Sequence, residues 1–127
     1  MNLIEYIVLR VNNDSGLQSI INNNFLPLVN QNQYDNLPLV TYIVSDETPI
    51  SNKLEKAEVD EYIIEFDVFS DRFFQLENIC NLLRDLFEAH KAIIDNKEFS
   101  IDFLNFKTSY KSDAKVYNKT VRIIAHF

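Results

Sequence analysis

A chain of 127 residues with a hydrophobic fraction of 46% is long enough for one domain with a substantial core, which excludes wholesale disorder. The net charge of −7 and the scattered lysines and arginines disfavour nucleic-acid binding, because phosphate contacts need cations concentrated on one surface. The single cysteine excludes an intrachain disulfide, and without a leader or an apolar run of roughly 20 residues we expect a soluble, cytoplasmic protein.

Two helical segments are predicted at the start of the chain. Asn2 and Glu5 resemble a capping box, and apolar residues then recur at helical spacing over 3–11. The polar run at 12–16 ends this helix and contains the only glycine of the chain. A second helical turn is expected over 17–21.

Two strands and a long loop follow. Pro27 restricts the apolar run at 25–29 to an edge strand or a strand end, because proline cannot donate to a ladder. The β-branched run at 39–44 predicts a buried strand. Residues 46–60 contain a proline, mixed charges and no periodicity, so we interpret them as a long, mobile hairpin loop.

The stretch from Tyr62 to Phe87 changes from a period of two to a period of 3.6, which predicts a strand followed by a long amphipathic helix. Ser70 and Asp71 supply oxygens for the N-cap of that helix. The expected core face of the strand is Tyr62, Ile64, Phe66 and Val68. The expected core stripe of the helix is Leu76, Ile79, Cys80, Leu83, Leu86 and Phe87.

The last third of the chain predicts two more strands. A turn is expected from His90 to Lys97, followed by alternation at Phe99, Ile101 and Phe103. A polar tip at 108–115 separates this strand from a closing strand at 117–127. The predicted fold class is α+β, with a mainly antiparallel sheet of about four strands, one long amphipathic helix packed on it and a short N-terminal helix.

Catalytic and cofactor motifs are scarce. One glycine cannot form a phosphate-binding loop, and one cysteine cannot form a zinc pair, so we expect no cofactor and no metal. His90 is interpreted as a cation near the helix C terminus, and His126 as a solvent-facing strand residue. Cys80 is interpreted as a small buried hydrophobe.

The closest approach to a catalytic cluster is the acidic run at Asp60, Glu61, Glu65 and Asp67. Glu61, Glu65 and Asp67 point to the same side of one strand, where they could bind a hard cation or perform acid–base chemistry. The favoured alternative is a solvated sheet face, and a third is an acidic wall within an assembly.

The chain resembles the tail-terminator (tail-completion, tail-to-head joining) proteins of long-tailed bacteriophages, including the family of the lambda tail terminator. The resemblance rests first on the helix, the Asn/Asp turn and the segment from Leu17 to Ile21 before Phe25-Leu26-Pro27. It rests second on the proline-led run 37–42, which contains a tyrosine. The third part is Ile63 to Phe69, the helix, and the closing strand after the tip.

The resemblance implies one tail-terminator-like domain over 1–127 that forms a hexameric ring on the tail tube. It implies a homo-oligomer on assembly, with a monomer in solution left open as the state before docking. It also implies contacts with the major tail tube protein and the head connector, and no enzymatic activity. The location implied is the host cytoplasm during assembly and then the head–tail junction of the virion. An acidic channel would let DNA pass without sticking.

The same resemblance implies three groups of site residues. Contacts with the tube or a neighbouring subunit are placed in the loop, at Glu47, Lys53, Glu55, Lys56 and Glu58. A second contact region is the tip, at Tyr110, Lys111, Asp113 and Lys115. Glu65 and Asp67 are candidates for facing the lumen. The alternatives are another neck or head-completion protein, and a small bacterial enzyme or ligand-binding domain that uses the acidic strand face.

Overall fold

The computed structural model describes residues 1–28, 36–49, 59–111 and 115–126. These residues form three helices and six strands. In chain order they are α1 (Leu3–Asn12), α2 (Ser15–Ile21), β1 (Phe25–Pro27), β2 (Leu39–Pro49), β3 (Val59–Ser70), α3 (Phe73–Phe87), β4 (His90–Ile94), β5 (Lys97–Lys111) and β6 (Val116–His126).

The strands form one sheet in the order β1-β2-β3-β6-β5-β4. Strand β1 pairs in parallel with β2, and every other neighbouring pair is antiparallel. The expected sheet of about four antiparallel strands under one long helix is therefore wrong. The fold is mostly β, a mixed, curled, half-barrel sheet accompanied by three short helices.

The missing strand is β4, which occupies most of the turn that was expected from His90 to Lys97. Asp95 and Asn96 have positive φ angles of 50° and 65°, as in a two-residue turn of type I′. This turn joins β4 directly to β5, with Ile94 paired to Lys97. The five residues of β4 are too few to show a clear alternation in the sequence.

The predicted loop and tip are also shorter than expected. Strand β2 continues through Asp46 to Pro49, and β3 begins at Val59, so the ends of the 46–60 segment belong to a hairpin. Residues 50–58 lie outside the described residues. At the tip, β5 extends to Lys111 and β6 begins at Val116.

One face of the sheet packs against the helices and forms the main core. The expected core face of β3 is confirmed, because Ile64, Phe66 and Val68 are fully buried and Tyr62 is partly buried against the same core. The α3 stripe is confirmed as well, with five members buried and Leu86 partly buried against them. Helices α1 and α2 extend the same core through Leu3, Ile7, Val11, Leu17 and Ile21.

The start of α3 differs from the prediction. Its N-cap residue is Arg72, and no side chain accepts a hydrogen bond at that cap. The Ser70 hydroxyl instead accepts a hydrogen bond from the Arg72 backbone N–H at 3.0 Å and donates to the Gln75 side chain at 2.8 Å. Ser70 therefore shapes the turn between β3 and α3 rather than capping the helix.

A β-bulge changes the faces of β5. The register with β6 shifts between Phe103 and Asn105, so Leu104 is the extra residue. Phe103 and Phe106 consequently both pack against the main core, with ring centroids 4.5 Å apart. A strict alternation beyond Phe103 fails for this reason.

Candidate functional site

The face of the sheet opposite the helices carries the acidic residues that the sequence singled out. Glu65 accepts a hydrogen bond from Arg122 Nε at 3.2 Å, and Asp67 accepts one from the Thr120 hydroxyl. Both partners lie on β6, directly opposite in the ladder. These carboxylates are thus half-buried and paired across two strands.

A depression of about 480 Å³ lies on this face. Its lining residues are Glu65, Lys107, Ser109, Asn118, Thr120 and Arg122. The lining mixes both signs of charge with hydroxyl and amide groups. Among the described residues, no group of three or more His, Cys, Asp or Glu side chains is arranged to hold a metal ion.

The predicted tip contacts are partly described. Tyr110 is exposed near the end of β5 and lies against Tyr117 of β6, with ring centroids 4.9 Å apart. Lys115 is exposed just before β6 and has a positive φ of 53°. Lys111 is the last residue of β5, and Asp113 lies outside the described residues.

Of the predicted loop contacts, only Glu47 is described. It is exposed on β2, in the hairpin with β3, and pairs with Tyr62 in the ladder. Lys53, Glu55, Lys56 and Glu58 lie outside the described residues. The structure therefore brings Glu65 and Asp67 together, whereas Glu47 and Tyr110 lie on strands at opposite sides of the sheet order.

Sequence reasoning missed a row of exposed aromatic rings beside the tip. Phe74 is 85% exposed at the start of α3, and its ring lies 5.6 Å from that of Phe73. Phe73 in turn lies 5.6 Å from Tyr117, which contacts Tyr110. Exposed aromatic rings of this kind are typical of protein–protein contacts. The signal was the pair Phe73-Phe74, because two adjacent helix residues cannot both face one core.

A charged pair at the boundary of the core also went unrecognised. Lys119 Nζ donates to both carboxylate oxygens of Glu77 on α3, at 2.9 and 3.0 Å. The Lys119 ammonium also lies 4.3 Å from the centroid of the Phe106 ring. The alternation of β6 places Lys119 on the core face beside Val121. A lysine on a core face needs a partner for its charge, and this was the feature of the sequence that could have predicted the pair.

The interpretation of His90 as a cation is wrong. His90 begins β4, where the Tyr6 hydroxyl and its Nε2 atom lie 2.6 Å apart. Burial lowers the pKa of His90 below its ordinary value of 6.5, and the positive charge of Arg10 lowers it further. The neutral imidazole is therefore favoured at neutral pH.

This lowered pKa predicts a loss of stability in acid. Because the folded-state pKa lies below the unfolded value, the contribution is complete above about pH 6.5 and is lost as the pH falls through the folded-state pKa. We expect the melting temperature to fall less between pH 7.5 and pH 5 for His90→Gln than for the wild type. Equal falls in thermal denaturation would contradict this assignment.

Cys80 is the buried hydrophobe that its position predicted. Its side chain is fully buried on α3, and burial raises the pKa of the thiol to about 12. His126, in contrast, is exposed at the end of β6, as expected. Among the described residues, neither side chain belongs to a group of three or more possible metal ligands.

Comparison with known proteins gives a fold-level match. No protein-family model and no curated sequence matches the chain. A solved structure does match. It is a chain from the "Virion of native gene transfer agent (GTA) particle", with a TM-score of 0.77, 14% identity, and coverage of 94% of this chain and 90% of that chain. Among the described residues, no helix has both the length and the apolarity to cross a bilayer.

Proposed function

We propose that this chain is a structural protein of a phage or prophage virion, which caps the tail tube as a ring and forms the head–tail joining surface. The observation that carries the proposal is the fold, which agrees at a TM-score of 0.77 with a chain of a gene transfer agent virion across nearly the full length of both. The sequence resemblance to tail terminators supplies the finer assignment.

The mechanism is steric and thermodynamic rather than chemical. A ring that binds the last ring of tube subunits covers the surface on which the next ring would add. Its opposite surface presents different side chains, so tube subunits no longer find a binding site there. The same surface binds the head connector. Growth of the tail tube therefore ends, and the tail is joined to the head.

The partners are other copies of this chain, the major tail tube protein and the head connector. A hexameric ring needs a heterologous contact, in which two different patches of each subunit meet. The net charge of −7 suits a channel through which DNA passes, because like charges prevent tight binding. The location is the host cytoplasm during assembly and afterwards the head–tail junction.

The absence of catalysis is part of the proposal. The carboxylates of Glu65 and Asp67 are each engaged by a neighbouring strand, which is typical of a structural polar face. General acid–base catalysis needs a carboxyl group that is free to reach a substrate. The arrangement here favours a wall of the assembly over an active site.

A second candidate is another neck component, such as a head-completion protein. The name of the matching chain refers to a whole virion, so the same observation supports both positions. The two functions differ in the defect that follows gene deletion. Loss of a terminator leaves tails of abnormal length, whereas loss of a head-completion protein leaves normal tails beside heads that leak DNA.

The enzyme alternative is tested by variants in complementation of a deletion strain. We expect a chain carrying both Glu65→Ala and Asp67→Ala to retain particle assembly within a few-fold, since these residues do no chemistry. Deletion of residues 49–58 is expected to abolish plaque formation, because it removes the predicted loop contacts. The reverse pattern, or metal bound in elemental analysis, would favour an enzyme.

A further inference from the structure

Strand β5 has a long stretch of edge without a partner strand in the part of the chain that the structure describes. Strand β4 pairs with it only from Lys97 to Ile101, whereas β6 pairs with it as far as Lys111. From 102 to 111, the backbone N–H and C=O groups that point away from β6 therefore have no strand partner among the described residues. Such an edge is a template for pairing with another chain.

Strand β2 has a comparable stretch on the other side of the sheet. Strand β1 pairs only with Val40 to Tyr42, so within the described ranges Ile43 to Pro49 pair with β3 alone. Among the described residues, two stretches of sheet edge therefore have no partner strand, 102–111 on β5 and 43–49 on β2. Lys107 is exposed on β5, and Asp46 is exposed on β2.

Ladder positions place these two charges on the same face of the sheet. Lys107 pairs with Thr120, and Asp46 pairs with Ile63. Thr120 and Ile63 both belong to the face opposite the helices, because Thr120 bonds Asp67 and Ile63 shares the side of Asp67 on β3. If the two edges met in a continuous sheet, Lys107 and Asp46 would lie on one surface.

We infer that the β5 edge of one copy pairs with the β2 edge of a second copy, so that the sheet continues between subunits. Opposite charges at the contact favour this pairing, whereas pairing of β5 with its own copy brings two Lys107 side chains onto one short edge. The contact is heterologous and can close into a ring. The inference rests on the proposed function, because a capping ring needs a repeated contact of this kind.

The exposed aromatic rings add an apolar contribution to the same contact. Tyr110 lies on the β5 edge itself, on the face that the helices cover, and is 53% exposed. Its ring contacts the ring of Tyr117, which in turn contacts the ring of Phe73. A strand added to β5 would cover Tyr110, and buried aromatic rings carry much of the binding energy in protein interfaces.

Charge reversal in the full chain tests the pairing. Sedimentation velocity over a concentration series measures self-association of the wild type, Lys107→Glu, Asp46→Lys and the double variant. We expect each single reversal to weaken association at least tenfold and the double variant to recover most of it, because attraction is restored with the signs exchanged. Lys91→Glu and Asp85→Lys make the same charge changes at exposed positions elsewhere and are expected to associate like the wild type.

Cysteine cross-linking provides a second readout that does not depend on affinity. Native Cys80 is fully buried, so introduced cysteines are the accessible thiols among the described residues. Lys107→Cys mixed with Asp46→Cys should give a cross-linked dimer in higher yield than either variant alone. A wild type that stays monomeric at every concentration, together with no cross-linked dimer from the mixed cysteine variants, would overturn the inference. So would reversals indistinguishable from Lys91→Glu, or a double variant as weak as the singles.

The inference and the proposed function fail in different ways. If the reversals disrupt self-association but deletion of the gene leaves tails normal, the contact stands and the terminator assignment falls. If deletion gives abnormal tails but the reversal variants assemble and complement normally, the function stands and this contact falls.

Discussion

Phe66→Ala is expected to cost about 3–5 kcal/mol of unfolding free energy, the range for truncating a buried aromatic side chain. Phe66 is fully buried in β3, and its ring stacks on Phe87 of α3 at 5.5 Å between centroids. It also lies 6.1 Å from Phe25 of β1. The substitution therefore opens a cavity between the sheet and α3. Chemical denaturation followed by circular dichroism measures the loss.

Phe74→Ala is the matched control for this substitution. It removes the same atoms from a ring that is 85% exposed, so the unfolding free energy should change by less than about 0.5 kcal/mol. If Phe66→Ala costs as little as Phe74→Ala, the assignment of Phe66 to the core would be contradicted. The same pair separates stability from assembly, since Phe74 belongs to the exposed aromatic row.

Glu77→Ala is expected to destabilise the fold by about 2–3 kcal/mol, near the lower limit for breaking a buried ion pair. The Lys119 side chain is only 10% exposed, so loss of its partner leaves an ammonium group in the core. The effect stays near that limit because Glu77 itself is 32% exposed and water can enter. Urea denaturation at pH 7 measures it.

Two further variants serve as controls for Glu77→Ala. Glu98→Ala removes an exposed carboxylate 3.9 Å from Lys91 and should change the unfolding free energy by less than about 0.5 kcal/mol. Replacing both core partners, with Lys119→Met and Glu77→Leu, should recover much of the loss, because no charge then remains buried. A double variant less stable than Glu77→Ala would contradict this account of the pair.

Periodicity in the sequence predicted the elements that bury one regular face. The stripe of α3 and the core face of β3 repeat without interruption, and their burial follows directly. Strand β4 escaped prediction because its five residues precede a turn that uses positive φ at Asp95 and Asn96, without glycine. The bulge at Leu104 interrupted the alternation of β5, and the last residues of the strand, 108–111, were predicted to be part of a polar tip.

The candidate site could be predicted only in part. Alternation along a strand shows which side chains share a face of the sheet, but it does not show which residues of the neighbouring strand they contact. Parity along β3 placed Glu65 and Asp67 on one side, and the structure has them there. Their partners Arg122 and Thr120 depend on the register between β3 and β6, which pairs residues more than fifty positions apart. The stretches of β2 and β5 that lack a partner strand among the described residues likewise follow from strand order, which no local pattern encodes.

The central claim is that this chain ends tail growth, and tail length in particles that lack it is the most direct measurement. Electron micrographs of the parent phage or induced prophage with the gene deleted should show tails of abnormal length, unattached to filled heads. Purified protein added to the lysate should restore joining. Tails of wild-type length attached to filled heads would contradict the claim. Normal tails beside heads that leak DNA would assign the chain to the head side of the neck.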